Sequence, residues 1–414
     1  MAYYFPPLAL SGVQRVSGFV KCLPHYGWHP TVITAKPAGY FAFDESMHRE
    51  IEAAGADIHM TSSLDPTRLF GRKKTVTLPS ESVRQALAAA TQLLFVPDNK
   101  VGWVPFVVRK GLQLHQLQPF DIVFASAPPY SGLLAAAKLA TRLTLPLVID
   151  FRDDWVGNPD HRYPTRYHKR ANAHMERRVL RTARAVTAIN RVIRDSLANR
   201  NPHAKSIEVL PHGHDIGQTP PPAARRGTRM KLLYTGIFCA AQTPDFFLQA
   251  LARMKSMYPD MAKNIEAQFY GLLPARSQEL IKELGLEGTV SFGGYVPHAK
   301  VLEAQQQADV LWMTIGYRPG AHGISTSKLS EYMGCRKPVL ALIPPGAAAE
   351  DLKRYQAARI VHPEDVNGIV QAIASLYQEW QDGTLPEPDS EFVASRSQKR
   401  LTADLVRLME GSLN

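Results

Sequence analysis

Short apolar runs recur along the whole chain, each followed by a turn rich in glycine, proline or small polar residues and then by a stretch with helical spacing. In the first half the pattern predicts strands at Tyr3–Pro7, Pro30–Thr34, Asp57–Thr61, Asp121–Ala125, Pro146–Phe151, Ala185–Asn190 and from Ile207. In the second half it predicts them at Met230–Gly236, Ile265–Tyr270, Thr289–Phe292, Asp309–Thr314, Pro338–Leu342 and Ala357–Val361. Helical spacing fills the intervals, at Ser82–Phe95, Gly132–Leu143, Tyr167–Ala183, Ala275–Leu284, Lys300–Gln307, Asn367–Trp380 and Arg396–Leu413. Strands that alternate with helices in this way predict parallel, doubly wound α/β sheets, whose ligands bind at the carboxyl ends of the strands.

A chain of 414 residues exceeds one ordinary core and fits two domains of about 200 residues each. The break falls where Pro220-Pro-Pro222 and Arg225-Arg226 interrupt the alternation. Residues 1–217 then form the first domain, 218–227 a linker and 228–395 the second domain, with 396–414 a terminal helix crossing back to the first. The most apolar stretch, Leu133–Ile149, is broken by Lys138, Arg142 and Pro146, so no membrane span is predicted. No basic region followed by an apolar one opens the chain, and Cys22, Cys239 and Cys335 are too few and too scattered for a disulfide framework or a zinc site. These features lead us to expect a cytoplasmic protein.

The net charge of +11 falls almost wholly on residues 1–215. Within them Arg162–Lys205 is dense in arginine and lysine and holds only Glu176 and Asp195 as acids. The helix Tyr167–Ala183 sets an apolar stripe of Ala171, Met175, Val179, Leu180 and Ala183 against Lys169, Arg170, Arg177, Arg178 and Arg181. Such a helix packs with a solvated face, or meets an anionic bilayer at the inner face of the membrane. Arg72–Lys74 is either a solvated loop or a second headgroup contact. No aromatic-interleaved basic motif or zinc finger points to nucleic acid.

Candidate chemistry concentrates in Gly323–Leu342. Ser325, Thr326 and Ser327 are helix-cap residues, Gly334 is a helix stop, and Lys328 adds a full charge to a helix start that already attracts anions. Glu331, three residues on, shares its face and can accept two hydroxyl hydrogen bonds from a ribose or a hexose. The other reading is a cap, a solvated lysine and a surface glutamate. At the carboxyl ends of the first-domain strands the candidates are Ser126, Tyr130 and Asp150-Phe-Arg-Asp-Asp-Trp155, a hexapeptide that resembles a family motif at an acceptor site, which implies Asp153 to orient a hydroxyl and Arg152 to bind phosphate. There the alternative is a structural Asp–Arg ion pair closing the strand end. Gly12, in a loop between the first strand and its helix, lets backbone amides approach a diphosphate with which Arg15 would pair. His212 and His214 lack a third ligand at metal-site spacing, and no Asp-x-Asp triplet occurs.

Ser327-Lys-Leu-Ser-Glu-Tyr332 and Asp150–Trp155 resemble the Ser-Lys-x-x-Glu-Tyr and Asp-x-Arg-Asp-x-Trp motifs of family 4 glycosyltransferases of the bacterial polysaccharide-assembly branch. The Gly12 to Arg15 opening, Gly27-Trp-His-Pro-Thr-Val32 and the Pro211-His-Gly-His-Asp215 turn add to the likeness, which covers nearly the whole chain. The resemblance implies a GT-B fold, two Rossmann-like domains facing a central cleft. It also implies a retaining hexosyl transfer from a nucleoside diphosphate sugar to a lipid-linked or growing glycan, in polysaccharide or lipopolysaccharide biosynthesis, with no metal or other cofactor. It puts Glu331 at the ribose-binding position, Tyr295 and Val296 in the base-binding turn, and Gly236, Ser327 and Lys328 around the diphosphate. Two departures stand out. Gly323 replaces a second glutamate common in the family, and Ile237-Phe238 follows Gly236 where an arginine and then a lysine are common. They leave open a noncatalytic GT-B partner subunit; a sugar-nucleotide epimerase can share the same fold.

Overall fold

The computed structural model describes residues 1–8, 11–37, 45–66, 68, 91–159, 161, 163–216, 227–238 and 242–413. It separates into two compact units, Met1–Gly213 with Gln398–Asn414, and His214–Ser397. All but the last residue of the expected linker, the Arg72–Lys74 run and most of the expected helix Ser82–Phe95 lie outside the described residues. Among the described residues no helix is long and apolar enough to cross a membrane.

In the first unit β1 (Thr31–Ala35) pairs in parallel with β2 (Asp57–Thr61). β3 (Val123–Ala127), β4 (Leu147–Phe151), β5 (Ala185–Ala188) and β6 (Ile207–Val209) form a parallel four-stranded sheet in chain order. β4 is buried at every position because both of its faces are covered, and so it reads as an unbroken apolar run. Leu147, Ile149 and Phe151 face a cluster with Leu133, Trp155 and Leu180, while Val148 faces Phe19, Leu210, Leu401 and Leu405. The second cluster is completed by the terminal helix Gln398–Leu413, whose Lys399 carbonyl accepts a 2.9 Å bond from the Tyr26 hydroxyl.

Two expectations about the opening residues fail. Tyr3–Pro7 is not a strand: Pro6 and Pro7 have no N–H to give a ladder, and the segment meets β1 through the Tyr3 carbonyl, which accepts from Thr34 Oγ1 at 3.2 Å. Gly12 lies inside the first turn of the helix Ser11–Cys22 rather than in a loop before it.

The second unit is one six-stranded parallel sheet of β7 (Met230–Ile237), β8 (Ile265–Leu272), β9 (Val290–Phe292), β10 (Val310–Thr314), β11 (Val339–Leu342) and β12 (Ala358–Val361), in the order β12-β11-β10-β7-β8-β9. The chain starts mid-sheet at β7, winds outward to β9, crosses back to β10 and winds out the other way. The carboxyl ends of β7 and β10 therefore flank the switch point where such sheets hold ligands. Gly236 (φ +126°) and Gly271 (φ +127°) stand opposite each other near that end of the β7–β8 ladder, and a Cβ on Gly271 would lie 1.9 Å from the Gly236 carbonyl oxygen. Gly334, expected as a helix stop, is the last residue of the helix Ser327–Gly334, and the left-handed residue after it is Arg336. Its lack of a side chain has another cause, since a Cβ there would sit 2.6 Å from the ring of His214. Thr326 is the N-cap by backbone geometry, but its side chain makes no capping bond.

Leu405 is fully buried against Phe19, Val148 and Leu210. Leu405→Ala is expected to destabilise the first unit by about 2–5 kcal/mol, read as a lower urea midpoint in tryptophan fluorescence. An unchanged midpoint would show that the terminal helix adds nothing to this core.

Candidate functional site

In the second unit, the residues expected around a diphosphate and a sugar come together at the switch point. Lys328, in the first turn of the helix Ser327–Gly334, places its ammonium 3.7 Å above the ring centroid of Tyr234 on β7. Two residues along β7, Gly236 leaves room for it, since a Cβ there would come within 2.9 Å of Lys328 Nζ. Glu331, one turn on, accepts from Gln305 Nε2 at 2.5 Å through Oε1 and lies 3.0 Å from His298 Nε2 through Oε2. His298 opens the helix that follows Tyr295, Val296 and Pro297, so its contact ties that turn to Glu331; Tyr295 itself is exposed. Tyr332 is fully buried, and its hydroxyl accepts from the Thr235 N–H at 2.9 Å, fastening the helix to β7 beside Gly236. Burial holds the Tyr332 phenol protonated, well above its ordinary range.

In the first unit the strand ends hold a different arrangement. Asp150, the fourth residue of β4, is fully buried and grips Arg15 in a two-pronged pair, Oδ2 to Nε at 2.9 Å and Oδ1 to Nη2 at 2.8 Å. Ser126 and Thr187 donate to the same carboxylate at 2.6 and 2.7 Å. Burial pushes the Asp150 carboxyl up, but Arg15 and the two hydroxyls more than offset this, and the group titrates below its ordinary value. Arg15 also donates to the carbonyls of Leu210 and Pro211. It is an interior tie between helix, sheet and turn, and the expectation that it pairs with a diphosphate is corrected: its donors are committed to protein acceptors and its side chain is 1% exposed.

Arg152 is corrected in the same way. Its guanidinium is buried and donates to the carbonyls of Gly12 and Pro128. A Cβ on Gly12 would stand 2.5 Å from Arg152 Nη1, so the glycine leaves the guanidinium its present place. Asp154 pairs with Arg200, and Trp155 is buried against Tyr130 at a ring distance of 4.8 Å, with Nε1 donating to Asn172. Asp153 is partly exposed, and after burial its charge is the largest influence on the Arg152 guanidinium beside it. Its charge is the second cause, after burial, of the raised Tyr130 phenol.

The residues match a model of the glycosyl transferase 4-like domain over 12–213 and a model of glycosyl transferases group 1 over 229–379. The chain belongs to the family 4-like glycosyltransferases. Its fold is shared with solved structures of low identity. HepE of Anabaena in complex with UDP matches with TM-score 0.67 and 15% identity, over 99% of either chain. The sucrose-phosphate synthase of Thermosynechococcus elongatus matches with TM-score 0.66 and 15% identity, over 96% of this chain and 92% of that one. MnaA of S. aureus with UDP matches with TM-score 0.56 and 11% identity, over 100% and 96%. No curated protein sequence matches the chain. The fold is GT-B, two Rossmann-like α/β domains.

In this glycosyltransferase the second residue after Gly236 is aromatic rather than basic. Phe238 stacks on Tyr234 at 4.0 Å, and the ring pair carries Lys328 on its open face. Sequence reasoning missed His298 and Gln305 as partners of Glu331, because they sit on another helix and no spacing links them. It also read Asp150 only as the start of a motif. A cavity of about 280 Å³ in the first unit is lined by Arg177, Arg181, Arg200 and His203. It lies at the C-terminal ends of two helices, whose partial negative charge those arginines complement, and Arg200 is already held by Asp154 and Glu176.

Asp150→Asn leaves Arg15 buried without its counter-charge and is expected to destabilise the first unit by about 3–5 kcal/mol at neutral pH. Because the folded-state carboxyl is depressed, its contribution is complete above the unfolded carboxylate range near pH ~3.9 and is lost as pH falls through the folded value. Urea melts of wild type and variant should therefore differ by a constant amount from pH 7 down to that range and converge only below it. Convergence at higher pH would contradict the assignment.

Proposed function

We propose that this glycosyltransferase moves a sugar, with retention at the anomeric carbon, from a nucleoside diphosphate sugar to a lipid-linked or growing glycan in polysaccharide or lipopolysaccharide assembly. The observation that carries the reading is the cluster of Lys328, Gly236, the start of the helix Ser327–Gly334 and Glu331 at the β7–β10 switch point. A helix N-terminus with a lysine is built for a diphosphate, and a carboxylate one turn on suits the hydroxyls of the ribose. The turn at Tyr295 and Val296 would meet the base. UDP stands in the solved structures of HepE and MnaA, which makes a uridine donor the first to test. Asp153 would orient the acceptor hydroxyl, with catalysis resting on positioning and on stabilising the departing diphosphate, without a metal.

The exposed face of Tyr167, Lys169, Arg170, Arg177, Arg178 and Arg181 suits an anionic membrane, at about 1 kcal/mol for each basic residue that reaches it, and would hold the enzyme where lipid-linked acceptors are presented. A noncatalytic partner subunit is the second reading. It is favoured by the commitment of Arg15 and Arg152 to the interior, which leaves Lys328 to meet the diphosphate with the helix dipole.

A thermal-shift panel of UDP, GDP, ADP and their hexose conjugates decides between them. A ligand at one hundred times its dissociation constant adds about 2.7 kcal/mol of stability, a clear rise in melting temperature. One nucleotide should raise the melting temperature of wild type, and Glu331→Ala should abolish most of the rise. Absence of any shift would remove the donor site and favour the partner subunit.

A further inference from the structure

Gln305 contacts no open surface and belongs to none of the motifs, yet it is the hub of the cluster around Glu331. It is fully buried. Its Nε2 donates both hydrogens, to Glu331 Oε1 at 2.5 Å and to Thr235 Oγ1 at 3.0 Å. Its Oε1 accepts from Cys335 Sγ at 3.2 Å. The direction of the amide is chemically forced. Burial, and then the nearby charge of Glu331, push the Cys335 thiol far up, so that it remains an S–H donor. The carboxylate on the other side is an acceptor, so the amide can satisfy both neighbours in one orientation only. Thr235 is in turn held by Tyr332, whose hydroxyl lies 3.2 Å from Oγ1. Glu331, Tyr332 and Cys335 come from a single turn of chain, Thr235 from β7 and Gln305 from the helix His298–Gln307. One amide thus locks three separate elements at the switch point.

We propose that Gln305 is a positioning residue for nucleotide recognition: it fixes the Glu331 carboxylate in the orientation that accepts the ribose hydroxyls, and so sets the preference for a ribonucleotide over a deoxyribonucleotide donor. This inference rests on the donor-site reading above. The physical ground is preorganisation. A glutamate at a helix surface has three rotatable bonds to freeze on binding, and a carboxylate already clamped at one oxygen by a buried amide and at the other by His298 has lost that freedom before the ligand arrives. A purely structural role for Gln305 would stabilise the fold without changing which sugar is read.

The test compares UDP with 2′-deoxy-UDP by calorimetric titration, with the other nucleoside diphosphates substituted if the panel above selects another base. Wild type should favour the ribonucleotide about tenfold or more, the scale of one hydrogen bond to a charged group. Glu331→Ala should lose the preference. Gln305→Met, which keeps the volume and removes the amide, should lose most of it while binding the deoxy compound almost as wild type does. Thr235→Val, which removes the second anchor of Gln305, should reduce the preference in the same direction and serves if Gln305→Met does not melt cooperatively. Retention of the full preference in either folded variant, with Glu331→Ala losing it, would overturn the role of Gln305 and leave the donor site standing. No binding of any nucleoside diphosphate to wild type, or a preference untouched by Glu331→Ala, would overturn the donor-site reading and this inference with it.

Discussion

Strands that all run in one direction bring their carboxyl ends to one edge of a sheet, and this constraint organises both units. Parallel pairing requires a crossover between successive strands, and each crossover helix starts just after the strand end it follows. The helix Ser327–Gly334 thus begins on the edge where β7 and β10 finish, and Asp150 to Trp155 leave β4 on the corresponding edge of the first unit. Chemistry-bearing residues gather there because the topology offers one place where loops, helix starts and uncapped amides converge.

The two units solve the problem of charge at that edge differently. In the first, the charges are taken inside. Arg15 and Asp150 neutralise each other with Ser126 and Thr187 completing the carboxylate, and Arg152 turns its two terminal nitrogens to the Gly12 and Pro128 carbonyls. Buried ions survive only when their charges are paired or hydrogen-bonded, and the Arg15–Asp150 pair is both. In the second, the cation stays near the surface over the Tyr234 ring, and the carboxylate of Glu331 is held by His298 and by the Gln305 amide, which is itself anchored by the Thr235 hydroxyl and the Cys335 thiol. Glycine marks the tight points of both arrangements. At Gly12 and Gly236 the missing Cβ is what admits the guanidinium and the ammonium.

Much of the architecture was legible because apolar runs and helical spacing are local signals. β2 coincides with its expected residues, and most other strands fall within two residues of theirs. The errors have local causes too. Tyr3–Pro7 carries the aromatic residues of a strand, but its two prolines withhold the N–H groups that a strand must donate. The helix Arg166–Thr182 buries Asn172 and Glu176 within its stripe, since the loop after β4 brings the Trp155 indole and the Val156 N–H for them to accept.

Sequence alone determined the α/β class, the family and the residues of its two most specific motifs, because each is written in contiguous or evenly spaced residues. Which motif residues face a ligand and which face the interior was decided by tertiary structure. Arg15 and Asp150 are 135 positions apart, Arg152 and Gly12 are 140 apart, and Gln305 reaches Glu331 across 26. A guanidinium suits a phosphate or a buried carboxylate equally well, so its partner is set by the fold that brings one of them within reach.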